Sequence, residues 1–579
     1  MSKQTTMRKL TSIIIFSILF CGTALSQNLE NVGGTFRESL RNPIRVNGGL
    51  SMGTIVASGN DPRVDRQPFT YFINGNINFN LFGVVNTPFS LNLTNLGAHM
   101  SYPSLPNRFS LHPSYRWATA HIGDIAMSFS PYTLSGHQFT GAGLELTPGR
   151  FQIALMGGRL LREVRPNPEL PSLLPNNARF GYGARFQYAS PRITAGGSFF
   201  AGRDRENPEL TLVLDSLGRA PKQNTAVSLN TTINLIENLT LMVEYGFSAL
   251  TSDARALRND NPSFLESLFG GNSSTNFYNA INVNLNYQFL RSVIGIGYER
   301  IDPQYATLGA YFFNNDFENI TVHFARPFLR EDRANIAVRF GLQQDNLDNT
   351  QREQSTRYVG SINLNYNPTE NLQMSFSYST FQSHRNLRSQ FDFINELTPY
   401  DNLDTLRFSQ LSQNLDMMVM YNIRRTETTN QSVNLMLSYQ EAANRQGNLI
   451  LPGNVSRFVN SAMGYSIQFI PQAVSVSASL NGTYSYMIQQ ESFTFGPMVS
   501  VTAGFFNRTL TVGYSTGYNV NIISGTGVQA QVLNMRGHVA YRFARRHSLT
   551  ASVVWQYRNV KDRDPVHLTT GTINYAFTF

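Results

Sequence analysis

The chain has 579 residues, of which only 14% are charged and 12% aromatic, with a formal net charge of +9. An ordinary soluble protein carries nearer ~25% charged residues. Beyond the first 26 residues no apolar run approaches the ~18 residues that a helical membrane span needs.

The first predicted element is a leader. Lys3, Arg8 and Lys9 form a basic start, residues 10–20 are an apolar run, and Ala24-Leu25-Ser26 offers small residues at the cleavage positions. That pattern predicts a signal peptide over residues 1–26, with the mature chain starting at or near Gln27. Phe20 stands where a lipoprotein signal needs a small residue, so lipidation at Cys21 is rejected. Cys21 is also the only cysteine. The mature chain is therefore expected to hold no disulfide and no thiolate metal site, which suits an oxidising compartment. Removing the three leader bases leaves 43 basic against 37 acidic residues, or +6. Lys222 and Lys561 are the only lysines left, so nearly all of this charge is arginine. The planar arginine fork suits lipopolysaccharide phosphates or acidic groups across a lumen; a compositional bias of the genome explains it equally well.

A short N-terminal periplasmic segment, residues 27–43, is expected before the first strand. From there the chain alternates. Tyr71, Ile73, Ile77, Phe79 and Leu81 share one face against Asn74, Asn76, Asn78 and Asn80. Ile281, Val283, Leu285 and Tyr287 oppose Asn282, Asn284, Asn286 and Gln288, and Val474, Val476 and Leu480 oppose Ser475, Ser477, Ser479 and Asn481. A period of two sustained over ten or more residues means strands, and about nine to eleven tilted residues cross the hydrocarbon.

Short and long connections take turns. The short ones fall at residues 85–88, 148–150, 190–191, 236–238, 290–291, 326–332, 367–371, 422–429, 470–472, 506–507 and 544–546. The long ones include 162–178, 203–221, 251–275, 383–406 and 441–454. A soluble sandwich has no reason to sort its loops by end, whereas a membrane barrel does. The expected fold is therefore all-β: a single closed antiparallel transmembrane β-barrel over residues 44–579, of about 24 strands within a range of 22–26. No separate plug domain is expected. Phe79, Phe289, Tyr366, Phe469, Phe543 and Phe577 gather at the short-turn ends as a candidate interfacial girdle.

The chain stops inside a strand. Its ending, Tyr575-Ala576-Phe577-Thr578-Phe579, resembles the C-terminal signature strand of Gram-negative outer-membrane proteins. The resemblance implies that Tyr575, Phe577 and Phe579 are read by the barrel assembly machinery, and that the chain resides in the outer membrane among lipid and lipopolysaccharide.

Several motifs invite chemistry. Two Gly-x-Ser-x-Gly matches, at Gly49 and Gly513, lie inside alternating strands and lack the strand-turn-helix corner of a nucleophile elbow. Asp215-Ser216-Leu217 and Asp404-Thr405-Leu406 resemble the acceptor triplet of a bacterial O-glycosylation system, on motifs short enough to arise by chance. Residues 101–137 break the alternation and are polar and Pro-punctuated. Metal binding there by His99, His112, His121 and Asp124 matches no ligand spacing. Two readings of the segment stay open. It is an extra surface hairpin that raises the count to 26 strands, or an infolded segment that narrows the lumen and places Arg116, Trp117, His121 and Asp124 on a solute path.

The lumen face is mainly Asn, Gln, Ser and Thr, with sparse charges such as Glu244, Arg339, Arg536 and Arg542. Barrels beyond about sixteen strands leave an aqueous opening. The function expected is a porin-like channel for hydrated polar solutes, with no enzyme activity, cofactor, metal or nucleic-acid partner. The competing reading is a structural or export barrel whose lumen a partner protein blocks.

Overall fold

The computed structural model describes residues 43–60, 68–95, 107–166, 168, 174–311, 313–329, 333–348, 350, 356–380, 411–446, 449–487 and 490–579. The leader, residues 27–42 and His99 lie outside them.

The wall begins with β1 (Ile44–Gly59), β2 (Phe69–Leu81), β3 (Val85–Thr94), β4 (Arg108–Leu111), β5 (Ser114–Tyr115), β6 (Ala118–Ala126) and β7 (Gln138–Leu146). It continues with β8 (Phe151–Leu161), β9 (Ala178–Ala189), β10 (Ile193–Arg205), β11 (Gln223–Ile236), β12 (Leu239–Thr251), β13 (Thr275–Phe289) and β14 (Ser292–Ile301). Then come β15 (Phe317–Phe328), β16 (Ala334–Asp345), β17 (Thr356–Thr369), β18 (Leu372–Ser379), β19 (Leu411–Arg425), β20 (Thr429–Gln446) and β21 (Leu449–Phe469). The last are β22 (Val474–Met487), β23 (Gln490–Phe505), β24 (Leu510–Ile523), β25 (Gly527–Phe543), β26 (His547–Val560) and β27 (Val566–Thr578).

Apart from β4 and β5, each strand pairs antiparallel with its sequence neighbours, and β27 pairs back onto β1, so the sheet closes on itself. Phe579 and Gly48 exchange two backbone hydrogen bonds of 3.0 Å at that seam. Closure leaves no free edge, the condition for a sheet to stand in hydrocarbon. No helix among the described residues is long and apolar enough to cross a membrane.

The strand count departs from about 24. β4 and β5 share one place in the wall between β3 and β6, so the barrel has 26 strands among the described residues. The added pair lies within residues 101–137. Pro113 breaks one member of it, and Gly123, at φ 104°, bends the other. Neither runs long enough unbroken to show an alternation. A second departure lies at residues 441–454, expected as a long loop: β20 and β21 run on to Gln446 and from Leu449 as an extended hairpin.

The faces follow the alternation. Cross-strand register sets Leu241, Leu285, Ile296, Val322 and Phe340 in one rank around the barrel, and the last four are exposed. This is the lipid-facing band. The rank behind it holds Met242, Asn284, Gly297, Thr321 and Gly341. At the short-turn end the outward rings of Phe543, His547 and Phe577 stack in series, with centroids 5.1 and 4.7 Å apart. Tyr575 donates to His547 Nδ1 or accepts from it at 2.7 Å. An aromatic belt of this kind anchors a barrel at the headgroup level.

Two long loops at the other end carry short helices, α1 (Pro208–Ser216), capped by Asn207, and α2 (Phe264–Phe269), with a Ser263/Glu266 capping box. Arg255 ties the loops together through Asp215 at 2.9 Å and is braced within its own loop by Asp253 at 3.0 Å.

Candidate lumen constriction

A barrel wall has no interior of its own, so fully buried apolar side chains mark where something covers its inner face. Among the described residues two connections do this over β6–β15, residues 127–137 between β6 and β7 and residues 302–316 between β14 and β15. Both leave the long-loop end and fold inward.

The first connection is built around a tight turn. The Phe129 amide donates to the Leu134 carbonyl at 2.8 Å and the Thr133 amide to the Ser130 carbonyl at 3.2 Å. Its apolar residues reach the wall. Ile125, Met127, Phe129, Leu134, Phe139 and Met156 form one buried cluster, completed by Leu160, Phe200 and Leu308. Tyr132 joins Ala280, Ile301 and Tyr305 in a second. Leu134 and Tyr305 are 0% exposed. Burying a side chain of this size contributes about 1.5–3 kcal/mol, enough for a few such residues to hold a short loop against its entropy.

The polar groups beneath are satisfied, as burial requires. Ser130 donates to Glu244 at 2.5 Å and Tyr132 to Glu299 at 3.4 Å. Thr133 shares a 2.7 Å hydroxyl contact with Ser198, which continues to Ser228 at 2.8 Å. The second connection is held in the same way. Ser248 donates to the Ala306 carbonyl at 2.7 Å, and the Leu308 amide donates to Asn224 at 3.1 Å. The two connections also bind each other. Leu134 and Gly309 form a parallel bridge, Thr307 donates to the Thr133 carbonyl at 2.6 Å, and Tyr305 donates to the Tyr132 carbonyl at 2.8 Å.

Glycines permit this approach at two points. A Cβ on Gly246 would lie 2.6 Å from Tyr132 Cβ, and one on Gly309 would lie 2.6 Å from the Thr133 carbonyl oxygen. His137 closes the first connection, stacked on Tyr311 with centroids 4.0 Å apart. Burial pushes its imidazole down to about 4; its hydrogen bond to the Gln138 carbonyl opposes this, and the Arg179 guanidinium adds to it.

The four residues singled out in the sequence do not converge. Arg116 and Trp117 form the exposed turn between β5 and β6 at the short-turn end, with the guanidinium 5.3 Å from the Tyr115 ring centre. His121 faces the lumen from β6, its Nδ1 2.7 Å from His112 Nδ1 and its Nε2 3.6 Å from Glu145. Asp124 faces outward near the long-loop end, accepting from Thr140 at 2.6 Å and from the Phe109 amide at 3.2 Å. Sequence reasoning missed residues 302–316. Tyr305, Leu308, Tyr311 and Phe313 crowd that connection, an apolar content that water-facing loops rarely carry. Among the described residues no group of three or more His, Cys, Asp or Glu side chains could hold a metal ion.

The opposite wall is lined differently. Neutral cross-strand pairs face the lumen there: Ser432 with Ser466, Ser477 with Ser500, Ser552 with Thr572, and Asn534 with Gln556, all within 3.0 Å.

No family model matches the chain, and no curated protein matches it. Among solved structures it is similar to the translocation pore of the P pilus usher PapC, at 12% identity over 92% of this chain and 99% of that one, with a TM-score of 0.38. It is similar to the FrpB iron transporter from Neisseria meningitidis at 10% identity, over 94% and 84%, with a TM-score of 0.39. It is also similar to OccD1 (OprD) at 10% identity, over 76% and 96%, with a TM-score of 0.31. Likenesses this loose carry nothing about activity. What decides the assignment is the barrel's own build, a closed antiparallel wall with an apolar outer band and an aromatic belt. The chain is a closed β-barrel built to span a membrane.

Proposed function

We propose that this barrel is a channel for hydrated polar solutes whose bore is narrowed on one side by residues 127–137 and 302–316. The observation that carries the reading is the water-excluding contact of these connections with the inner wall, anchored at Tyr132, Leu134 and Tyr305. An infolded segment so fully bonded to the wall serves as a fixed constriction. The neutral hydroxyls and amides of β20–β27 facing it would solvate uncharged solutes with weak ion selectivity. Charge enters sparsely, through Glu244 and Glu299 at the constriction and through Arg339, Arg536 and Arg542 elsewhere on the wall. Arg116, Trp117 and Asp124 take no part in the solute path. Tyr575, Phe577 and Phe579 serve as the signal for the assembly machinery.

Liposome swelling with neutral sugars of increasing size tests the channel. Uptake that falls with solute size supports it; barrels that exclude even a monosaccharide contradict it. One observation favours a second reading, a barrel working inside a surface protein complex. The crown that Arg255 ties together exposes Leu212 at 84%, Leu257 at 85% and Phe264 at 78%, more apolar surface than free loops carry. A stoichiometric protein that co-purifies with wild type and is lost from Leu212→Ser/Leu257→Ser/Phe264→Ser would favour it.

A further inference from the structure

The outward face of β8–β10 carries arginines that neither the wall nor the constriction uses. Register sets Thr140, Arg159, Phe180, Arg203 and Gln223 in one rank near the long-loop end. Arg205 stands one step beyond, on the same face, opposite Ala178. Toward the membrane centre the next ranks are Gly157, Tyr182 and Ala201, then Leu155, Ala184 and Phe199. Phe180, Tyr182, Leu155 and Phe186 are all exposed. The arginines therefore sit where the lipid-facing band gives way to the headgroup level.

Their charge is not spent locally. Asp204 turns inward onto Arg179 at 2.7 Å. Arg255 is held by Asp215 and Asp253, with Glu206 3.9 Å away. Glu163, whose carboxyl feels Arg205, already binds Arg165 at 3.0 Å. Among the described residues Arg159 and Arg203 form no ion pair. They stand two strands apart, so their backbones are about 10 Å from each other, and both side chains can reach over Phe180 to one small anion. A cavity of about 500 Å³ opens beside them, lined by Phe180, Pro221, Ala254, the three arginines Arg203, Arg205 and Arg255, and the two acids Asp204 and Glu206, of which Asp204 faces Arg179 and Glu206 faces Arg255.

We propose that Arg159, Arg203 and Arg205 bind the phosphate of an outer-leaflet lipid headgroup, with the acyl chains laid over Leu155, Tyr182 and Phe199. The guanidinium fork matches phosphate oxygens in pairs. The apolar wall directly beneath selects a lipid over a free anion.

Native mass spectrometry of the full-length barrel in detergent tests this. The probes are a phosphorylated hexa-acyl disaccharide lipid, its dephosphorylated form, and inorganic phosphate. Wild type is expected to retain the phosphorylated lipid at least ~tenfold more tightly than the dephosphorylated one, and millimolar inorganic phosphate should leave it bound. Arg159→Gln/Arg203→Gln/Arg205→Gln should abolish the preference, the matching triple lysine variant should keep part of it, and Arg545→Gln at the short-turn end should leave it intact. Equal retention of the two lipids by wild type overturns the site, as does full preference in a triple Gln variant that still migrates as a heat-modifiable barrel. Should that variant not fold, a lysine variant no weaker than wild type overturns the role of the arginine fork. Displacement by inorganic phosphate overturns the lipid assignment.

Discussion

The Tyr305 hydroxyl donates to the Tyr132 carbonyl at 2.8 Å, and through this bond one infolded connection holds the other against the barrel wall. Both rings are buried and meet edge to face, with centroids 6.1 Å apart. Removing the hydroxyl alone strands a buried carbonyl, a loss of about 1–3 kcal/mol. Tyr305→Phe should therefore raise amide hydrogen exchange across residues 127–137 while the wall strands stay protected. Unchanged exchange in that segment would show that the bond contributes nothing to docking.

Gly246 tests the same contact from the wall side. Its missing Cβ leaves the space that Tyr132 occupies. Overpacking of this kind costs about 1–3 kcal/mol. Gly246→Val should displace residues 127–137 with little effect on strand pairing, because valine suits a strand. The check is faster proteolysis at the displaced connection in a barrel that keeps its heat-modifiable migration.

His137 makes the docking depend on pH. Its imidazole titrates near 4 when docked and near its ordinary 6.5 when released. Between those values the released segment binds more protons, so docking weakens as pH falls from 6.5 toward 4 and loses nothing further from this group below that. Glu244 and Glu299 also bond the segment, so the His137 contribution is the difference between wild type and His137→Gln. Hydrogen exchange of residues 127–137 should rise more steeply with acid in wild type than in the variant. Parallel slopes would rule the histidine out.

Leu285 and Asn284 are chain neighbours on opposite faces. Arginine at a lipid-facing position near the midplane costs about 2–4 kcal/mol, whereas the lumen offers water. Leu285→Arg should lower the urea midpoint for unfolding in lipid far more than Asn284→Arg does. Equal losses would mean that the two faces of β13 are assigned the wrong way round.

Phe579 is the assembly prediction. Its backbone completes the seam with Gly48, and those bonds survive loss of the ring. Phe579→Ala should reduce the amount of inserted barrel in cells several-fold, with little change in the unfolding midpoint of the protein that does insert. Wild-type insertion would remove the ring from the signal.

Much of the wall was legible in the sequence because it obeys a local rule. Asn282, Asn284 and Asn286 against Val283, Leu285 and Tyr287 announce a strand and its two faces with no knowledge of neighbours. The β4–β6 pair stayed one of two open readings because Pro113 and Gly123 break the period where register with β3 and β7, not local pattern, holds the strands. The partner connection, residues 302–316, hid for a different reason. Tyr132 pairs with Tyr305, Glu299 and Gly246 across more than a hundred residues, and no spacing along the chain records that. Arg116 and Trp117 attracted notice by residue type, and local pattern did not show that they form a two-residue turn at the short-turn end.

Single-channel conductance in planar bilayers addresses the constriction most directly, comparing wild type with Tyr132→Ala/Leu134→Ser/Tyr305→Ala. The three substitutions remove the most deeply buried anchors, two from one connection and one from the other, and leave every wall strand untouched. A constriction held by those anchors predicts a conductance raised about twofold or more, with larger current noise as the released segments move. The same conductance and the same noise in a correctly inserted variant would contradict it.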